Sequence, residues 1–257
     1  MNPLQRALIE KAGHDHGFEY VLASTESQVQ MASARHPAQV VVRLDGGRFI
    51  LSFSALTTAQ LNNELARSFP EFLFDDGVFQ APDQNALAAF LRRAAELAHA
   101  LPNQAVRDFD ASLQHELDQL PDQLKGTEVE RLVRQRVGQQ AFRSAMLDYW
   151  GGACAVTGIA IPELLRASHA KPWAECGSDA ERLDVFNGFL LSANLDALFD
   201  RFLISFDDGG ELLLSSQISH SDRILLGLDR PLQLRWIASE HLPYLGYHRQ
   251  CFISAQQ

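Results

Sequence analysis

The chain has 257 residues, a hydrophobic share of 46% and a formal net charge of −10. That length suits one large or two modest domains, each able to bury a core. The acidic balance argues against a protein that coats nucleic acid by bulk electrostatics, but not against one that handles a phosphate through a local cation and a few arginines.

No run of about 18 apolar residues occurs, so no membrane span is expected. The opening Met-Asn-Pro-Leu-Gln-Arg-Ala lacks the apolar stretch of a secretory signal. Cys154, Cys176 and Cys251 are odd in number and far apart, which gives neither a disulfide framework nor a Cys-x-x-Cys zinc knuckle. A reducing, cytoplasmic setting is the simplest expectation.

From the N-terminus, Leu4 to Lys11 has the pattern of a short amphipathic helix. His14 and His16 are spaced for a strand edge rather than a helix, and are expected to face solvent. Val40-Val-Val-Arg-Leu, Asp45-Gly-Gly and Arg48-Phe-Ile-Leu-Ser-Phe predict a hairpin around a glycine turn. Thr58–Ser68 and Asp83–Leu101 are predicted helices, the second with Leu87, Phe90, Leu91 and Leu97 on one stripe. Asn103–Leu117 adds another. Leu120-Pro-Asp-Gln-Leu-Lys-Gly carries two breakers and marks a boundary.

Thr127-Glu-Val-Glu then has the form of a capping box opening a helix that runs to Tyr149-Trp-Gly-Gly. Its apolar side holds Val129, Leu132, Val133, Val137, Phe142 and Met146; Arg131, Arg134, Arg136 and Arg143 populate a polar side read as a solvated face. Cys154-Ala-Val-Thr-Gly reads as a short strand and turn, followed by Glu163–His169. Phe189, Leu190 and Leu191 form a short buried run, the mark of a strand over Gly188–Ser192. Ser192 or Asn194 can cap a helix to Phe202. Leu203–Phe206 and Glu211–Ser215 flank Asp207-Asp-Gly-Gly as a second hairpin, and the tail mixes turns with short apolar runs.

The chemistry concentrates between Leu165 and Phe206. On the helix after Ser192, Leu195, Leu198, Phe199 and Phe202 recur at helical spacing and mark its buried stripe. Asp196 and Asp200 lie roughly 100° to 140° round from Leu195, stacked on one flank. Their mutual repulsion of about 0.2–0.5 kcal/mol on a wet helix is too small to demand a cation. The case for one is geometric, because the pair flanks a buried face and follows a strand that brings Asn187 near. Paired hard oxygens suit Mg²⁺ or Mn²⁺ better than Zn²⁺, which stands as the alternative. His169, in a turn-prone segment before Pro172, can take a proton from water near neutral pH. Asn187 is neutral and can orient His169 or its loop without competing for that proton. Together these groups predict in-line hydrolysis of a phosphodiester.

The segments Cys154-Ala-Val-Thr-Gly, Arg166-Ala-Ser-His-Ala-Lys-Pro-Trp, Arg182-Leu-Asp-Val-Phe-Asn-Gly-Phe-Leu-Leu and Leu195-Asp-Ala-Leu-Phe-Asp-Arg together resemble the HNH endonuclease family, in the restriction-type branch with Ser-His-x-x-Pro-Trp and Asn-Gly-Leu-Leu-Leu motifs. The resemblance spans roughly Glu128 to His248. It implies a ββα-metal finger, with His169 as general base, Asn187 as the orienting residue, and Asp196 and Asp200 as metal ligands on the helix. Departures are plain: Ser168 stands where other branches place a first metal ligand, Asn194 and Ala197 where some relatives carry histidine, and Phe202 where glycine is frequent. Ser168, Lys171, Asn194, Arg201, His248 and Arg249 are candidate substrate-binding residues, and His248 is also a candidate to complete the metal site.

The fold class expected is therefore α+β: an N-terminal α+β recognition or regulatory domain over 1–119, a linker and connecting helix over 120–150, and a C-terminal ββα-metal nuclease domain over 151–257. The function expected is a metal-dependent DNA endonuclease in restriction or defence, acting on double-stranded DNA as a homodimer because two strands need two sites. The rival is a non-catalytic nucleic-acid or protein interaction module on a degenerate finger.

Overall fold

The structure is a computed structural model that describes residues 1–54, 58–102, 104–120 and 126–256. Two compact units emerge, Met1–Gln104 and Ala105–Gln257, and the fold class is α+β.

In the first unit, helix α1 (Pro3–Asp15) begins at Asn2. The Asn2 side chain accepts from the Gln5 N–H at 2.9 Å, while Gln5 Oε1 accepts from the Asn2 N–H at 2.8 Å, so two of the helix's orphan donors are satisfied reciprocally. The helix runs beyond the expected Lys11, which places His14 in its last turn instead of on a strand edge. Strands β1 (Tyr20–Ser24), β2 (Val29–Ala32), β3 (Gln39–Asp45), β4 (Arg48–Ser54), β5 (Leu73–Asp75) and β6 (Val78–Ala81) form one antiparallel sheet in the order β1-β2-β3-β4-β6-β5. The predicted hairpin is β3–β4. Asp45 pairs with Arg48 across Gly46 (φ 53°) and Gly47 (φ 83°), the two positive-φ positions of a tight two-residue turn. That turn fixes the register. Val40 then faces Phe53, Val42 faces Leu51, and all four are buried on one side.

Helices α2 (Thr58–Ser68) and α3 (Gln84–Ala100) match the predicted helices. Asp83 caps α3 by accepting from the Ala86 N–H at 2.8 Å. The stripe Leu87, Phe90, Leu91, Ala94 and Leu97 is wholly buried, with Phe90 against Phe53 and Phe79 of the sheet.

Helix α4 (Gln104–Asp118) buries Ala105, Phe109 and Leu113 at i, i+4 and i+8. Asn103 and residues 121–125 lie outside the described residues, so most of the expected linker does as well. Helix α5 (Thr127–Trp150) has Gly126 at its N-cap and no side-chain cap bond. The capping box expected at Thr127 is not formed, because Thr127 already lies inside the helix. Only its C-terminal half is packed: Val137, Phe142, Ala145, Met146, Tyr149 and Trp150 are buried, whereas Leu132 is exposed. Gly151 ends it in the left-handed region at φ 63°.

Cys154–Gly158 forms the expected turn but not the short strand expected with it; the Gly158 N–H donates to the Cys154 carbonyl at 3.0 Å. Strand β7 (Leu165–His169) pairs antiparallel with β8 (Gly188–Ser192), His169 opposite Gly188. A Cβ on Gly188 would stand 2.1 Å from the Ser168 carbonyl oxygen, so glycine is what lets the strands approach. The short helix α6 (Asp179–Arg182) lies in the connection between these strands. Helix α7 (Ala193–Phe199) follows β8 directly and stops before the predicted Phe202. Its end is stitched by Phe202 N–H to Phe199 C=O and Leu203 N–H to Leu198 C=O, both 2.9 Å, with Phe202 itself at φ 55°.

Strands β9 (Ile204–Phe206) and β10 (Leu212–Leu214) make the second predicted hairpin. The tail, expected to be irregular, contains helices α8 (His220–Leu225) and α9 (Leu242–Ser254). Among the described residues no helix is long and apolar enough to cross a membrane.

Candidate functional site

A cleft of about 510 Å³ opens between α5, β7 and α7, and its lining includes His169, Asp196 and Asp200. The hairpin delivers the first of these. His169 is the final residue of β7, so it is held by strand pairing rather than by the free turn expected from the following proline. Its ring lies on Phe142 of α5 with centroids 3.8 Å apart and planes 17° off parallel. Trp173 meets the ring edge-on. The indole can come this close because α5 has glycine at 138, where a Cβ would sit 2.2 Å from the ring.

His169 Nε2 is 2.8 Å from the Arg182 carbonyl oxygen. A carbonyl only accepts, so Nε2 carries the proton and Nδ1 is the basic nitrogen. Burial pushes the imidazole pKa below its usual value, and the Arg182 carbonyl partly opposes this. The ring is thus neutral and able to accept a proton at physiological pH.

Asp196 and Asp200 stack on α7 one turn apart and line the same cleft. Ser168, 2% exposed beneath the hairpin, donates its hydroxyl to Asp196 Oδ1. Serine here supports a carboxylate from behind. Asp200 has much of its residue surface in contact with solvent, yet the cleft walls desolvate its carboxyl. Burial first, and then the neighbouring Asp196 charge, push its pKa up to about 6, with Arg201 opposing.

Asn187 does not line the cleft. It is fully buried, and its Oδ1 accepts from the Lys171 N–H at 2.8 Å while Nδ2 donates to the Glu181 carbonyl at 3.0 Å and the Lys171 carbonyl at 3.3 Å. It therefore fixes both ends of the β7–β8 connection, the segment whose Arg182 carbonyl sets the His169 tautomer.

The remaining candidates are placed as follows. The Lys171 ammonium pairs with Glu181 at 2.6 Å. Asn194 Oδ1 accepts from the Ser192 hydroxyl at 2.7 Å. Arg201 is exposed beside Asp200. Arg249 bridges the Phe206 carbonyl and Asp208. His248 does line the cleft, but both its nitrogens are engaged, Nδ1 with the Ser205 hydroxyl at 2.9 Å and Nε2 with the Phe199 carbonyl at 3.1 Å. Its ring stacks on Phe199 at 3.7 Å, and burial pushes its pKa down to about 4. In this state it ties α9 to the end of α7.

The two carboxylates fit a small hard cation. Among the described residues neither has a salt-bridge partner, and burial together with the Asp196 charge already raises the Asp200 pKa. Mg²⁺ is commonly held by one or two carboxylates, with water and phosphate oxygens completing its sphere. No group of three or more His, Cys, Asp or Glu side chains gathers as a cage among the described residues, so a site of the structural-zinc kind is not built here.

A histidine ends the first strand of a β-hairpin, and two acidic residues stand on the helix that follows, a strand–strand–helix arrangement. Residues 154–207, from the Cys154 turn through β7, β8, α7 and β9, match the model of the HNH endonuclease family, HNH_2. The second unit therefore carries an HNH endonuclease domain, which suggests nuclease function. No curated protein matches the chain.

Proposed function

We propose that the chain is a divalent-metal-dependent endonuclease that hydrolyses DNA phosphodiester bonds, in restriction or defence against foreign DNA. The observation that carries this reading is that one cleft is lined by a neutral imidazole of fixed tautomer and by two carboxylates with no salt-bridge partner among the described residues. The HNH match supports it.

In this reading His169 takes a proton from water at Nδ1, and the Arg182 carbonyl stabilises the resulting imidazolium through Nε2–H. Phe142 and Trp173 restrict the ring to one orientation. Ser168 holds Asp196, and Asn187 holds the connection that presents the Arg182 carbonyl. Asp196 and Asp200 would hold Mg²⁺ or Mn²⁺. When bound, such an ion supplies positive charge to the phosphate and to the leaving oxygen.

Supercoiled plasmid incubated with the protein should be nicked or linearised with Mg²⁺ or Mn²⁺ and left intact with EDTA. Linear product without a nicked intermediate would go with the homodimer expected for two-strand cutting. That no group of three or more His, Cys, Asp or Glu side chains gathers to hold a metal among the described residues favours one other reading, a non-catalytic module on a degenerate finger. Intact plasmid, single-stranded DNA and RNA across all metals would select it.

A further inference from the structure

Arg143 and Arg166 line the same cleft as His169, Asp196 and Asp200, from α5 and β7 respectively. The sequence places Arg143 in a series of four arginines on α5, but the structure separates it from the others. Arg131, Arg134 and Arg136 have Glu128, Asp179 and Glu116 as ion-pair partners. Arg143 instead donates to two carbonyls, from Nη1 to Leu165 at 2.7 Å and from Nη2 to Pro162 at 3.0 Å. Arg166 donates from Nη1 to the carbonyls of Glu163 and Leu165, both at 2.9 Å.

The two guanidiniums therefore share one carbonyl oxygen, that of Leu165. Like charges this close repel, and among the described residues neither has a carboxylate partner to offset that. Backbone oxygens hold them in place without neutralising them. Arg166 spends both Nη1 hydrogens on carbonyls, which among the described residues leaves its Nε–H and Nη2–H edge unused. That edge is the planar fork that grips a phosphate through two parallel hydrogen bonds. In a protein with a net charge of −10 this is a local positive site beside a local negative one.

We infer that Arg143 and Arg166 form a clamp for a backbone phosphate of the nucleic acid, next to the phosphate presented to His169. The inference rests on the nuclease reading and adds where the chain is gripped. The clamp contacts phosphate alone, so its contribution is independent of base sequence.

The test is fluorescence anisotropy with a labelled DNA duplex and Mg²⁺ over a range of salt concentrations, on full-length protein in a His169→Ala background so that the duplex stays intact. Arg166→Gln should lower affinity by about tenfold for every duplex sequence and reduce the slope of log affinity against log salt by about 0.9. Arg166 is exposed, so the melting temperature should not move. Arg166→Lys keeps the charge and loses the fork, so it should restore the slope but not the full affinity. Arg143→Lys should do the same. Wild-type affinity and slope in Arg166→Gln and Arg143→Lys, beside a parent that binds, would overturn the clamp alone. So would displacement of the duplex by millimolar inorganic phosphate, which would mark a free-phosphate site. A parent that binds no duplex, with wild type cutting none, would fail the nuclease reading itself and the clamp with it.

Discussion

Cleavage by His169→Ala is expected to fall by about 10²–10⁴-fold, the usual worth of a positioned general base, with no comparable loss of DNA affinity. The ring is the only imidazole in the cleft with an uncommitted nitrogen among the described residues, since His248 spends both of its own on Ser205 and Phe199. The pH profile carries a second signature. Burial on Phe142 lowers the His169 pKa, so the base form should persist below pH 6.5 and wild-type activity should fall only at more acid pH, as the ring takes a proton. An alanine variant that cuts at the wild-type rate would remove His169 from the chemistry.

Asp200→Asn should lose cleavage and gain stability. The Asp200 carboxyl has its folded-state pKa pushed up to about 6 by burial and by the Asp196 charge, against an ordinary value of 3.8. The folded protein therefore binds this proton more readily than the unfolded chain. The stabilising contribution is full below the unfolded value and is lost as pH rises through about 6. At pH 8 the carboxylate opposes folding, and an amide removes that opposition. An unscreened shift of this size would be worth about 3 kcal/mol. The group is well exposed, so a gain on the order of 1 kcal/mol is the reasonable expectation. Thermal melts should show the variant above wild type at pH 8, with the gap shrinking towards pH 5. Millimolar Mn²⁺ should raise the wild-type melting temperature and leave the variant unchanged. Equal melts at both pH values would mean that the Asp200 carboxyl is neither desolvated by the cleft nor repelled by Asp196 as the raised pKa requires.

The parts of this molecule that could be foreseen are those whose signal is local. The Asp45-Gly-Gly-Arg48 turn needs two positive-φ residues and so gives away its hairpin. The α3 stripe and the Phe189–Leu191 run give away burial. Strand β1 could not be foreseen, because Tyr20, Val21 and Leu22 are all exposed and carry no alternation. Strand β5 is three residues long. Helix α9 was hidden by Pro243 in its first turn and Gly246 in its interior, although Leu245, His248 and Phe252 recur at helical spacing.

The site divides in the same way. Titratable side chains at telling intervals pointed to His169, Asp196 and Asp200, which the fold brings to one cleft. The partner that fixes the His169 proton is a backbone carbonyl, and every residue has one, so no pattern could single out Arg182. Phe142 and Gly138 lie on α5, some 30 residues before the histidine they frame; only the packing of helix on hairpin joins them. Arg143 looked like one of four equivalent surface charges, and only its carbonyl partners set it apart.

The most direct measurement is NMR of the histidine ring protons during titration with Mn²⁺, whose unpaired electrons broaden nearby signals. Substoichiometric Mn²⁺ should broaden the ring signals of the cleft histidines, His169 and His248, and the effect should vanish in Asp200→Asn. A His169 ring that stays sharp while the ion binds elsewhere, or broadening that persists without the Asp200 carboxylate, would contradict a cation held between the acidic pair and the base.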